Sequence, residues 1–68
     1  MFREGPKYQA GDAFLMKRTF GHIKRGSPVV ILKNLGKNKD DRTLVEIKDD
    51  MGHIEKNVPT TYLGRRLK

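Results

Sequence analysis

Sixty-eight residues allow a single domain with a small core, since a chain of this size buries only about 60% of the surface its unfolded form exposes. With no cysteine there is neither a disulfide framework nor a thiolate site for zinc or redox chemistry, and no apolar run approaches the roughly 20 residues of a membrane span. Fifteen Lys and Arg against eight Asp and Glu give a net charge of +7 and a pI near 10.1, which bears on partners rather than on fold. The opening MFREGPKYQAGD has no apolar central stretch, so no secretory signal is expected and the expected compartment is the cytoplasm.

Hydrophobic content of 35% beside charged content of 34% lies near the limit for folding; three Phe, two Tyr and the aliphatic runs keep the chain on the folded side. The charge falls in blocks. Residues 1–39 carry nine basic and two acidic side chains, a net of +7. Residues 40–55 carry six acids against Arg42 and Lys48, a net of −4, and residues 56–68 add four bases and no acid. Two readings fit: a mixed surface that only solvates a small fold, or a basic face opposed by an acidic hairpin, which would orient the molecule on a polyanion.

In chain order, residues 1–10 read as a loosely held arm, because Gly5 and Pro6 interrupt any regular pattern. The Gly11-Asp12 turn pair opens a first strand over 13–17 (AFLMK). A long loop follows, and then the strongest strand, 28–33 (PVVILK), β-branched and with Pro28 at its tolerated first position. Residues 36–41 read as a polar loop. Residues 42–56 read as a β-hairpin, with Thr43, Val45 and Ile47 on one face and a reversal over 49–52. Pro59 blocks further pairing and sets up a 3₁₀ turn over 60–62, leaving 63–67 as a last short strand. No apolar pattern recurs at helical spacing. Short strands punctuated by glycine predict an all-β fold, and five of them in this length predict a small, bent barrel closed enough to hide its edges.

The stretch 23–31 (IKRGSPVVI) places a hydrophobic residue, a basic residue and a glycine ahead of an aliphatic strand. The stretch 58–63 (VPTTYL) leads an apolar residue and Pro into a turn ending in Tyr and Leu. Together they resemble the SH3-like barrels, over residues 11–67. The resemblance implies a five-stranded barrel with a 3₁₀ turn before the last strand, with residues 11–68 as the domain. It does not extend to proline-rich ligands. Those need a tyrosine-rich first strand and a Trp at the third, whereas this chain has no Trp and keeps only Pro59 and Tyr62 of that groove. The usual acidic first loop is replaced by Lys17, Arg18, Lys24 and Arg25. In this the chain resembles the SH3-like and KOW-type barrels of ribosomal, transcription and phage accessory proteins, without the full KOW glycine pattern.

Chemistry has little to work with. His22 and His53 lie in separate elements, and two histidines with a carboxylate fall short of the three or four ligands of a zinc site, so no metal is expected. Ser27, the lone serine, precedes Pro28 and lacks the glycine-flanked elbow of a hydrolase. Asp40-Asp41 and Asp49-Asp50 read as turn residues rather than an acid–base pair. No phosphate-loop spacing occurs. The expectation is therefore a protein that is not an enzyme, with no cofactor and no small-molecule substrate.

What remains is binding. In an SH3-like barrel the first and last strands are neighbours, so Lys17, Arg18, Lys24 and Arg25 should converge with Arg65, Arg66 and Lys68. Such a patch would contact phosphates of DNA or RNA and bind less tightly as salt rises. Phe20 and Tyr62 are candidates for stacking on bases or meeting a partner; the other reading places both in the small core, and for Tyr62 the core is the preferred one. The alternative is a regulatory protein–protein module that grips an acidic surface of a larger assembly, as small phage-encoded regulators and ribosome or polymerase accessory factors do. A monomer is expected, with no contact to membranes.

Overall fold

Apolar side chains at every second position can form a core only if strand pairing brings them to one face. The computed structural model, which describes residues 8–67, shows that pairing. Five antiparallel strands follow in order: β1 (Ala13–Met16), β2 (Pro28–Lys37), β3 (Thr43–Asp49), β4 (Ile54–Pro59) and β5 (Leu63–Arg66). A 3₁₀ turn, Thr60–Tyr62, joins β4 to β5. The sheet order is β4-β3-β2-β1-β5, a meander whose last strand returns to the free side of β1. The expected all-β chain of five strands, with its 3₁₀ turn before the last, is what forms.

The core takes Phe14 and Met16 from β1, Val29 and Ile31 from β2, Val45 and Ile47 from β3, Val58 from β4 and Leu63 from β5. One member comes from no strand. Ile23, fully buried, is delivered by the loop between β1 and β2, where reciprocal backbone hydrogen bonds with Phe20 (2.8 and 3.0 Å) close a tight turn. Tyr8, Phe20 and Tyr62 pack half-buried against this cluster.

Two strands run further than expected, each through an irregularity. β2 continues past Gly36, pairing Gly36 with Leu44 and Lys37 with Thr43. Gly36 holds a φ of +88°, open to glycine at no cost, so the polar stretch expected as loop begins inside the ladder as a bulge. β4 runs through Asn57, which takes a φ of 58°, and ends with Pro59 opposite Leu44. Asn is among the few side chains that adopt this left-handed conformation readily.

The sheet does not close on itself, which departs from the expected closed barrel. Among the described residues no ladder joins β4 to β5, and both are edges. Pro59 has no N–H to extend β4, and the 3₁₀ turn takes the chain to β1, where Leu63 pairs with Met16 and Arg66 with Phe14 across a register shift. Of the expected arm, residues 1–7 lie outside the described residues. Tyr8 stacks at 5.2 Å on Phe14, and its carbonyl accepts the Asn34 side-chain amide at 2.7 Å.

Candidate functional site

The candidate cations gather around the end of β1. Lys17 follows directly on β1, and its N–H donates to the Tyr62 carbonyl at 2.7 Å. Beside it, Gly64 lets β5 approach closely: a Cβ there would sit 3.1 Å from the Leu15 carbonyl oxygen and 3.5 Å from Lys17 Cβ. The loop after β1 is pinched shut at its neck. Met16 N–H donates to Ser27 O at 2.9 Å, Gly26 N–H to Met16 O at 2.8 Å, and Arg25 N–H to the Thr19 hydroxyl at 3.0 Å. Lys17-Arg18 and Lys24-Arg25 therefore lie on the two arms of one narrow, exposed loop, with Arg65 exposed on the adjoining strand.

Arg66 behaves differently. It lies opposite Phe14, with its guanidinium 5.3 Å from the ring centroid and 3.3 Å from the Asp12 carboxylate. Lys17, Arg18, Lys24, Arg25 and Arg65 have no carboxylate within ion-pair distance among the described residues. Lys68 lies outside the described residues.

The two candidate aromatics touch. Phe20 and Tyr62 meet edge to face, ring centroids 5.4 Å apart at 89°, and this contact fastens the loop tip to the 3₁₀ turn. The Arg18 guanidinium sits 5.8 Å from the Tyr62 ring centroid. Both rings are half-buried against the core, so neither presents an open platform.

A second cluster joins two pairs, His22 with Glu55 and His53 with Asp49. Glu55 accepts the His22 backbone N–H at 3.0 Å and lies 3.3 Å from His22 Nδ1, across 33 positions of sequence. Gly21 makes room for this, because a Cβ at that position would collide with the Glu55 carboxylate. Asp49, only 8% exposed, accepts the N–H groups of Met51 and His53 at 3.0 and 2.7 Å and faces His53 Nδ1 at 2.9 Å. The two imidazoles stack at 5.9 Å, their planes 18° apart. Only the Asp49–His53 half could have been anticipated, from an Asp that opens a turn ending in His four residues later. Among the described residues no three His, Asp or Glu side chains are placed to hold a metal ion.

Both carboxyls titrate below their usual values. At Asp49, burial works against the charge but is outweighed by the hydrogen bonds from His53 and Met51. At Glu55 the His22 backbone N–H is the main cause, again against burial.

The acidic block lies along one hairpin, β3 with β4, but its carboxylates are spread over it. Asp40 and Asp41 occupy the turn before β3, and Asp49 and Asp50 stand at the end of that seven-residue strand, roughly 20 Å away. The carboxylates nearest the basic loop, Asp49 and Glu55, are taken up by histidines and backbone N–H groups. Comparison with protein families, curated proteins and solved structures finds no match for the chain. No helix among the described residues is long and apolar enough to cross a membrane.

Proposed function

We propose that this chain is a non-enzymatic nucleic-acid-binding module of the SH3-like barrel type, holding phosphates against the pinched loop and β5. One observation carries the reading: five cations, Lys17, Arg18, Lys24, Arg25 and Arg65, stand on a single loop and its neighbouring strand with no carboxylate paired to them. The return of β5 to β1 and the 3₁₀ turn before it support the barrel type. Arg66 holds Asp12 and covers Phe14, so its part is to brace β5 rather than to lead the contact. Phe20 and Tyr62 are committed to each other and to the core. Binding is then carried by the backbone of the nucleic acid, with little reading of bases.

Fluorescence anisotropy with labelled duplex DNA, single-stranded DNA and structured RNA tests this, at two salt concentrations near physiological. Five phosphate contacts to a duplex predict a slope of log affinity against log salt of about −4 to −5. Each reversal among Lys17, Lys24, Arg25 and Arg65 should lower that slope by about one unit and weaken all sequences alike. Equally feeble binding to all three ligands, gone at the higher salt, would reduce the patch to general basicity. A second reading, docking of a protein, is favoured by the exposed apolar side chains Val30, Leu32, Met51 and Ile54.

A further inference from the structure

The outer face of the sheet carries an apolar band that the core does not use. Strand register sets it out: Ala13 lies opposite Val30, Val30 opposite Lys48, and Lys48 opposite Ile54. Leu67, just past β5, extends the row by donating its N–H to the Ala13 carbonyl at 2.7 Å. Directly opposed residues of antiparallel strands share a face, so this row crosses β1 to β4, ends at Leu67, and is apolar except at Lys48. Val30 is 41% exposed and Ile54 50%.

Down the middle of the band, β3 turns a stripe of alternating charge outward: Glu46, Lys48 and then Asp50 just past its end. None of the three has a side-chain partner among the described residues. Turned end over end and shifted by one step, the stripe sets plus against minus at two positions and carries Glu46 past the end of the partner stripe, opposite Gly52. A two-fold axis between Lys48 and Asp50 brings each Lys48 against the Asp50 of the other copy. The stripe borders a groove of 350 Å³ lined by Ala13, Pro28 and Val30, and Met51, 77% exposed at the adjoining turn, offers a flexible side chain to fill one.

From this placement we propose that a second copy of the chain covers the outer sheet face, in a two-fold dimer registered by reciprocal Lys48–Asp50 pairs. The +7 charge on each copy opposes association without forbidding it, because a Debye length of about 8 Å at physiological salt screens cations that do not face each other across the contact. Five strands about 4.8 Å apart and about five residues long make a face roughly 19 Å by 17 Å, or roughly 300 Å², small beside the roughly 800 Å² per partner of a tight complex. The dimer is accordingly weak, with a dissociation constant on the order of 0.1 mM. Its existence does not depend on nucleic-acid binding.

Sedimentation velocity of the full chain without nucleic acid, from about 10 µM to about 1 mM, reads the equilibrium directly. The wild type should pass from monomer to dimer over that range. Lys48→Glu and Asp50→Lys should each weaken association about tenfold by setting like charges face to face. The double variant, Lys48→Glu with Asp50→Lys, should recover it to within about threefold. Thermal melts should be unchanged in all three, since both side chains are exposed. A protein monomeric throughout the range overturns the dimer. Association that ignores both single variants, or that the double variant fails to restore, overturns the register and the proposal with it.

Discussion

The turns at the two ends of β3 are wired alike and do different things. At one end, the Asn38 side-chain oxygen accepts the N–H groups of Asp40 and Arg42, two and four residues on, at 2.9 and 3.0 Å. At the other, an Asp49 carboxylate oxygen accepts those of Met51 and His53, at the same offsets. The amide is exposed and its turn ends in solvent, where Asp41 reaches back only to Lys37 at 3.3 Å. The carboxylate is buried, holds the His53 ring with its second oxygen, and stands beside the histidine that clamps the basic loop. One turn motif thus serves as a plain reversal when neutral and exposed, and as a fastening point when charged and buried.

The largest expected effect is at the buried turn. Asp49→Ala removes the acceptor for two backbone N–H groups and the partner of His53 together, and should lower the urea midpoint more than any other turn substitution. Asn38→Ala should cost about 1 kcal/mol, because water replaces much of what is lost. Equal costs in matched urea titrations would break the comparison.

Next comes pH. Asp49 and Glu55 titrate lower in the folded chain than the 3.8 and 4.5 expected of them unfolded. Their contribution is therefore complete above that range and is lost as pH falls through it toward the folded values. Urea midpoints from pH 7 to pH 3 should fall on that acid limb. Asp49→Asn should flatten the fall, whereas Asn38→Ala, which removes no titrating group, should leave it unaltered in shape.

The amide–acid exchange itself sharpens the contrast. Asn38→Asp keeps the accepting oxygen in an exposed turn and should stay within about 0.5 kcal/mol of wild type. Asp49→Asn keeps one oxygen but strips His53 of its charged partner, so thermal melts at neutral pH should rank it clearly below Asn38→Asp. Smallest is Lys37→Ala, which breaks an exposed i,i+4 pair worth a few tenths of a kcal/mol. That difference should vanish in melts at 1 M salt.

Much of the fold is legible wherever a local pattern determines the outcome. The aliphatic run at 29–31, the alternation of Thr43, Val45 and Ile47, and Pro59 ahead of the 3₁₀ turn each mark their element directly. The misjudged boundaries fall where glycine or asparagine with positive φ continues a strand instead of ending it, at Gly36 and Asn57. The cation loop is legible as composition, because Lys and Arg cluster along the chain. Its fastening is not, since Glu55 and His22 are 33 residues apart and meet only through the path of the chain around Ile23. The outer band is likewise invisible in one dimension: Val30, Ile54 and Leu67 become a row only through strand register.

An open sheet has two margins, and each is guarded. On β4, Lys56 and the left-handed Asn57 break the line of backbone donors, and Pro59 removes one outright. On β5 the margin is four residues long and carries Arg65 and Arg66. Strand-by-strand growth from molecule to molecule, the route by which small β proteins become fibres, has no flat template here. A basic chain with a thin core can then be held at high concentration in a cell or a tube and meet its neighbours only reversibly.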